Sequence, residues 1–141
     1  MRAYEKLGVP AHKLVAGVPF YSHAWVTVSS ANHGLYQRGR ASKLDFASFA
    51  SVATTMIGHG YKRYWDDKAS APYLFNEATS TFVSYEDKES LGAKCDYVRS
   101  QHLGGMMFWE YGGDPGGELM RLMHEKLIKP KAKADAGESK R

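Results

Sequence analysis

The carboxylates are the first residues to weigh for chemistry. They cluster twice in the 141-residue chain, as Asp66-Asp67 and as Glu86-Asp87-Lys88-Glu89. Paired acids can work as general acid and base. Asp87, however, stands where a helix N-cap belongs, and Glu89 lies in the first turn beyond it, where the helix dipole favours negative charge. The structural reading of that cluster is the simpler one. The six histidines include no His-x-x-x-His pair on a helix with a third ligand, so no metal site is expected. A single cysteine, Cys95, supports neither an internal disulfide nor a cysteine-based zinc site. Gly112-Gly113-Asp114-Pro115-Gly116-Gly117 has neither dinucleotide nor P-loop spacing and reads as a flexible loop. What remains is the chain's large aromatic side chains, among them Trp25, Trp65 and Trp109, which composition alone reads more readily as packing than as binding.

The elements that position them follow from the hydropathy pattern. Arg2–Leu7 reads as helix, closed by Gly8-Val9-Pro10. Leu14–Tyr21 is a nearly continuous apolar run, which fits a strand covered on both faces in a parallel sheet. Trp25–Val28 is a second short strand, and Ser29–Lys43 a polar loop. Asp45 is placed to cap a helix over Phe46–His59. Tyr61–Trp65, Pro72–Phe75 and Thr81–Tyr85 predict a small antiparallel sheet. Glu89–Gln101 follows as a helix burying Leu91, Cys95 and Val98, then Met106–Trp109 as another buried strand, and Glu118–Ile128 as a helix stopped by Pro130. Met107 and Trp109 share one face of their strand because side chains alternate with period two, and Glu110 falls on the other.

Composition bounds the class. With 43% hydrophobic and 13% aromatic residues, a packed core is affordable and disorder of the main body is excluded. The net charge of +4 is mostly a tail effect. Residues 129–141 hold five basic and two acidic residues, leaving 14 against 13 in the rest. A broad nucleic-acid-binding face is therefore not expected, and Arg38-Gly39-Arg40 reads as a solvated loop. No apolar run reaches the roughly 20 residues of a membrane span. Two buried strands cannot complete a sheet by themselves, since each needs paired neighbours and covering helices.

Five segments in order resemble glycoside hydrolase family 18, the chitinase family. They are Lys13–Tyr21 (KLVAGVPFY), Gly60–Asp67 (GYKRYWDD), Ala71–Asn76 (APYLFN), Phe82–Ser90 (FVSYEDKES) with Lys94 and Tyr97, and Leu103–Glu110 (LGGMMFWE) with Asp114. The resemblance implies an α/β fold: the C-terminal part of a TIM (β/α)8 barrel with an inserted small α+β domain. Residues 1–23 would be a barrel segment ending in the seventh strand, 24–82 the chitinase insertion domain, 83–128 a barrel segment with the eighth strand, and 129–141 a disordered basic tail. A whole barrel needs about 250 residues, so completing this fold would require an N-terminal barrel portion.

The family's chemistry rests on an Asp-x-x-Asp-x-Asp-x-Glu motif, whose glutamate protonates the glycosidic oxygen while the substrate's N-acetyl oxygen attacks, an exception to the two-carboxylate scheme. No such motif occurs among the 141 residues, so no catalytic residue is assigned and the isolated chain is expected to be inactive. By resemblance Trp109 floors the subsite beside the cleaved bond, Met107 helps enclose the N-acetyl group, Tyr21 donates a hydrogen bond to substrate, and Trp25 could extend the aromatic wall. Packing remains an equal reading for Met107 and the simpler one for Trp25, as it does for Tyr64 and Trp65. Tyr85 reads as packing or hinge as readily as contact. Where the family has Tyr-Gly-Arg, this chain has Tyr21-Ser22-His23, and His23 reads as an ordinary strand-end polar residue. The implied partner is chitin or its N-acetylglucosamine oligosaccharides, with no cofactor, nucleic acid or membrane, and an extracellular setting if the parent follows the family. Two other readings stay open: a non-catalytic chitin-binding lectin on the same barrel, and a small basic α+β nucleic-acid-binding protein.

Overall fold

A computed structural model describes residues 1–128 and shows a mixed α/β architecture with two sheets. The tail expected at 129–141 lies outside the described residues. A short helix, α1 (Arg2–Lys6), opens the chain. The first sheet is a parallel pair, β1 (Val15–Pro19) and β7 (Gly105–Trp109), in the register Gly17 with Met107 and Pro19 with Trp109. The second is antiparallel and five-stranded, in the order β3-β2-β6-β5-β4. Its strands are β2 (His23–Val26), β3 (Arg40–Ala41), β4 (Lys62–Asp66), β5 (Ala71–Asn76) and β6 (Thr81–Ser84).

Each sheet has its own core. Val18 and Phe20 beside β7 pack on Leu91 and Cys95 of α3 (Lys88–Ser100) and on Leu119 and Met123 of α4 (Glu118–Leu127). Only that face is covered. Val15, Met107 and Trp109, on the alternate face of the same pair, are 53%, 51% and 65% exposed. The expected burial of these strands on both faces is therefore corrected: the described helices lie on one side. The second core joins Ala24, Leu74, Val83 and Tyr85 to Val52 and Met56.

Asp87 caps α3 as its position predicts. Its Oδ1 accepts from the N–H groups of Glu89 and Ser90, at 2.9 and 3.0 Å, and the Asp87 N–H donates to the Ser90 hydroxyl. Arg63 of β4 then clamps Asp87 and Glu89 together, tying the antiparallel sheet to this helix. Buried Glu86 accepts from the Ser90 hydroxyl and pairs with Lys94. The second expected acid cluster is likewise engaged: Asp66 accepts from the Tyr36 hydroxyl at 2.6 Å and from the backbone of Lys68 and Ala69.

Residues 45–59 depart from expectation. Asp45 is not a helix cap; it bonds His23 and the Ala24 N–H. Phe46 has φ +62, outside the helical region, and its N–H is committed to the Ser22 carbonyl. Helix α2 (Phe49–Ser51) starts only at the Ser48 cap and widens into a π turn over Val52–Met56. Thr54 and Thr55 bond back to the carbonyls of Ala50 and Ser51, an arrangement that loosens a helix. Within the expected loop 29–43, β3 pairs with β2. The Gly112–Gly117 loop is also more constrained than its composition suggests, since a Cβ at Gly113 would collide with the Phe20 carbonyl. Within it, the carboxylate of Asp114, only 1% exposed, accepts from the N–H groups of Glu118, Leu119 and Met120.

Replacing Asp114 with Ala strands helix N–H donors at a buried end and should cost about 2–3 kcal/mol in urea unfolding, with Asp114→Asn costing less. The Tyr36 bond holds Asp66 below the ordinary carboxylate range and Tyr36 above the ordinary phenol range. Asp66's contribution is therefore present above the unfolded carboxylate pKa and lost as pH falls through its lowered value. Tyr36's contribution is present below the unfolded phenol pKa and lost as pH rises through its raised one. Unfolding curves of the wild type and Tyr36→Phe should differ at neutral pH and converge toward both acid and strongly basic pH.

Candidate functional site

The parallel pair builds the site. Beyond Pro19, the Phe20 N–H donates to the Trp109 carbonyl at 2.6 Å, extending the ladder to the strand ends. On the covered face Phe20 stacks on Phe108, with ring centroids 4.7 Å apart and planes 9° from parallel. With those rings held inward, alternation leaves Met107 and Trp109 facing out. After Trp109, a cis peptide leads to Glu110 and a short 3-10 turn, Tyr111–Gly113.

A cleft of about 230 Å³ opens where the strands end, lined by Tyr21, Phe46, Ser48, Trp109 and Glu110 with Phe20 beneath. Trp109 and Tyr21, both expected in a binding site, are thus brought together. Met107 sits on the same open face one pleat earlier, opposite Gly17, and does not line this cleft. Glu110, expected on the face opposite Trp109, lines the same cleft; the chain leaves strand geometry there, so period two no longer applies.

Trp25 is placed elsewhere, in a neighbouring cavity of about 350 Å³ with Tyr36, Gln37, Phe82 and Ser84. A file of rings connects the two spaces: Tyr21 to His23 at 5.4 Å, His23 to Trp25 at 6.2 Å, and Trp25 to Phe82 at 6.0 Å. Tyr64 stacks on Tyr73 in the sheet and on His33, so it packs. Tyr85 is 5% exposed, and burial pushes its phenol up to about 12; it belongs to the second core.

His23 is better integrated than a generic strand-end residue. Its Nδ1 lies 2.9 Å from Asp45 Oδ1. A carboxylate partner places the proton on Nδ1 in the neutral ring and leaves Nε2 as an acceptor. Phe46 packs against both Tyr21 and His23, at 5.3 and 5.2 Å. Its place in the cleft was not predicted from spacing, because the positive φ and the long-range bond to Ser22 leave no local signal.

The cleft therefore offers flat apolar faces with a few polar edges. Of the nearby carboxylates, Glu110 lines the cleft itself, while Asp45, next to Phe46, holds His23, and Asp114, next to Gly113, caps α4. Among the described residues no group of three His, Cys, Asp or Glu side chains is placed to hold a metal, and no helix is long and apolar enough to cross a membrane.

Known proteins share this sequence and fold. The chain is 41% identical over 137 residues to Chitinase A1 of Niallia circulans, covering 91% of this chain and 18% of that protein. A glycoside hydrolase family 18 N-acetylglucosaminidase from Paenibacillus barengoltzii superposes with a TM-score of 0.83 at 42% identity, over 89% of this chain and 37% of the other. A mutant class V chitinase from Nicotiana tobaccum, solved in complex with NAG4, superposes with a TM-score of 0.81 at 25% identity, covering 91% of this chain and 38% of that one. The chain thus spans well under half the length of each. The model of the glycosyl hydrolases family 18 matches residues 1–114. With sequence, family pattern and fold in agreement over most of its length, the chain belongs to glycosyl hydrolase family 18.

Proposed function

We propose that this chain supplies the floor and one wall of the sugar cleft of a chitinase, binding β-1,4-linked N-acetylglucosamine oligosaccharides without cleaving them by itself. One observation carries the reading: Trp109 and Tyr21 line one cleft at the carboxyl ends of adjacent parallel strands. In (β/α)8 enzymes active sites lie at that end of the strands. On this reading β1 and β7 are the seventh and eighth strands of a barrel whose other strands lie outside these residues. The open face carrying Met107 and Trp109 then looks into the barrel. The insertion domain, read at 24–82, is supported by the self-contained antiparallel sheet, which extends slightly beyond those bounds, from His23 to Ser84.

In this assignment Trp109 stacks on the apolar face of an N-acetylglucosamine ring, and the Tyr21 hydroxyl bonds a sugar oxygen. Met107 lies along the N-acetyl group, and Trp25 extends the aromatic wall through His23. Cleavage needs an acid that protonates the leaving oxygen. The family's Asp-x-x-Asp-x-Asp-x-Glu motif is absent from the sequence, and the chain's own acid clusters are engaged in capping and ion pairs. The setting is extracellular, following the family.

Two measurements test this. Trp109→Ala should weaken chitotetraose binding by roughly thirtyfold, about 2 kcal/mol for an exposed aromatic anchor, while leaving the unfolding midpoint nearly unchanged because the ring is 65% exposed. Unaltered affinity would remove Trp109 from the site. The purified 141-residue chain should release no product from a chitotrioside, and measurable turnover would refute the division of labour proposed here.

A further inference from the structure

Phe46 combines two features that folding alone does not reward. Its φ of +62 is a left-handed conformation disfavoured for a bulky side chain. Its ring is 64% exposed, so burial does not offset that cost. The conformation is nonetheless firmly imposed. The Phe46 N–H donates to the Ser22 carbonyl at 2.8 Å, and the Ser22 N–H donates to the Ala47 carbonyl at 2.8 Å. One residue earlier, Asp45 binds both the His23 ring and the Ala24 N–H. Four hydrogen bonds thus fasten the 45–47 turn to the strand entering the antiparallel sheet. They deliver the ring against Tyr21 and His23, on the wall of the cleft that also contains Trp109. Strained residues of this kind persist where surrounding structure over-determines them, and they gather at ligand clamps.

We propose that Phe46 is a second sugar-stacking platform in this cleft, taking the apolar face of the N-acetylglucosamine unit adjoining the one at Trp109. The inference rests on the sugar-binding reading above. A pyranose ring has a patch of axial C–H bonds that suits an aromatic face, while its hydroxyls can meet the polar rim of Tyr21, Ser48 and Glu110. His23 and Asp45 act as positioning residues, since they hold the turn and not the sugar.

The test is calorimetric titration of the 141-residue chain and its variants with chitotetraose, alongside thermal unfolding. Phe46→Gly relieves the backbone and removes the ring, so Tm should hold or rise while affinity falls about three- to tenfold, the range for one aromatic stacking contact. Phe46→Leu, which keeps apolar bulk without a ring, should show the same loss, and Phe46→Trp should restore binding. If Trp109→Ala abolishes binding but Phe46→Gly binds as well as wild type, this inference fails and the cleft assignment stands. If the wild-type chain does not bind chitotetraose at all, both fail. Should Phe46→Gly lose stability as well as affinity, Phe46→Leu decides: full binding by that variant makes the ring a packing element and overturns the inference.

Discussion

The pairing of β1 with β7 is the constraint on which the remainder depends. It joins Pro19 to Trp109, 90 positions apart in sequence, and its register decides which side chains meet the helices. Because side chains alternate, a slip by one residue would turn Met107 and Trp109 into the α3–α4 core and expose Met106 and Phe108. The stacked Phe20 and Phe108 rings and the Phe20 N–H bond to the Trp109 carbonyl oppose that slip from both sides of the backbone. Gly113 adds a steric condition, since its missing Cβ lets the chain after β7 pass close over Phe20.

The acids show how the same chain limits its own chemistry. Asp87 and Asp114 accept helix N–H groups, Glu86 is held by Ser90 and Lys94, Asp66 by Tyr36, and Asp45 by His23. Each of these carboxylates already has its hydrogen-bond or ion-pair partners. A general acid needs a carboxyl whose neutral form is favoured by burial or by a neighbouring negative charge. Asp66, held below the ordinary carboxylate range by its phenol partner, is shifted in the wrong direction for protonating a leaving group. On the proposed reading these acids shape the fold around the cleft, and the cleft's own surface holds a sugar.

What could be read from the sequence was mainly local. The Asp87 cap and α3 were legible because Asp87, Glu89 and Ser90 carry the signal within four residues. The apolar runs at 14–21 and 106–109 marked both parallel strands. Their one-sided cover was not legible, because continuous hydrophobicity does not distinguish a face packed by helices from one left open. The 45–59 segment was misread for a different reason. Helical spacing of Phe46, Phe49, Val52 and Met56 is real, but hydrogen bonds to Ser22 and Ala24, more than twenty residues away, override it from Asp45 to Ala47. Trp109 and Tyr21 were singled out through family resemblance, and composition alone would have left Trp109 as a packing residue. Phe46 carried only the helical spacing, a signal for packing and not for a place in the cleft.

On the proposed reading, the open face of β1 and β7 favours a sugar over water as its occupant. Val15, Met107 and Trp109 lie along one face and are largely exposed; their apolar surface offers water no hydrogen bonds, and hydrating it is unfavourable. A purely apolar ligand would cover the rings but strand the polar groups around them, among them the Tyr21 hydroxyl and the Glu110 carboxylate, at a desolvation cost. A pyranose presents both kinds of surface at once, with C–H faces for the indole and hydroxyls around its edge. On the proposed reading, the register that keeps Phe20 and Phe108 inside is thereby also what selects the ligand, because it places an indole face and a ring of polar edges on one wall.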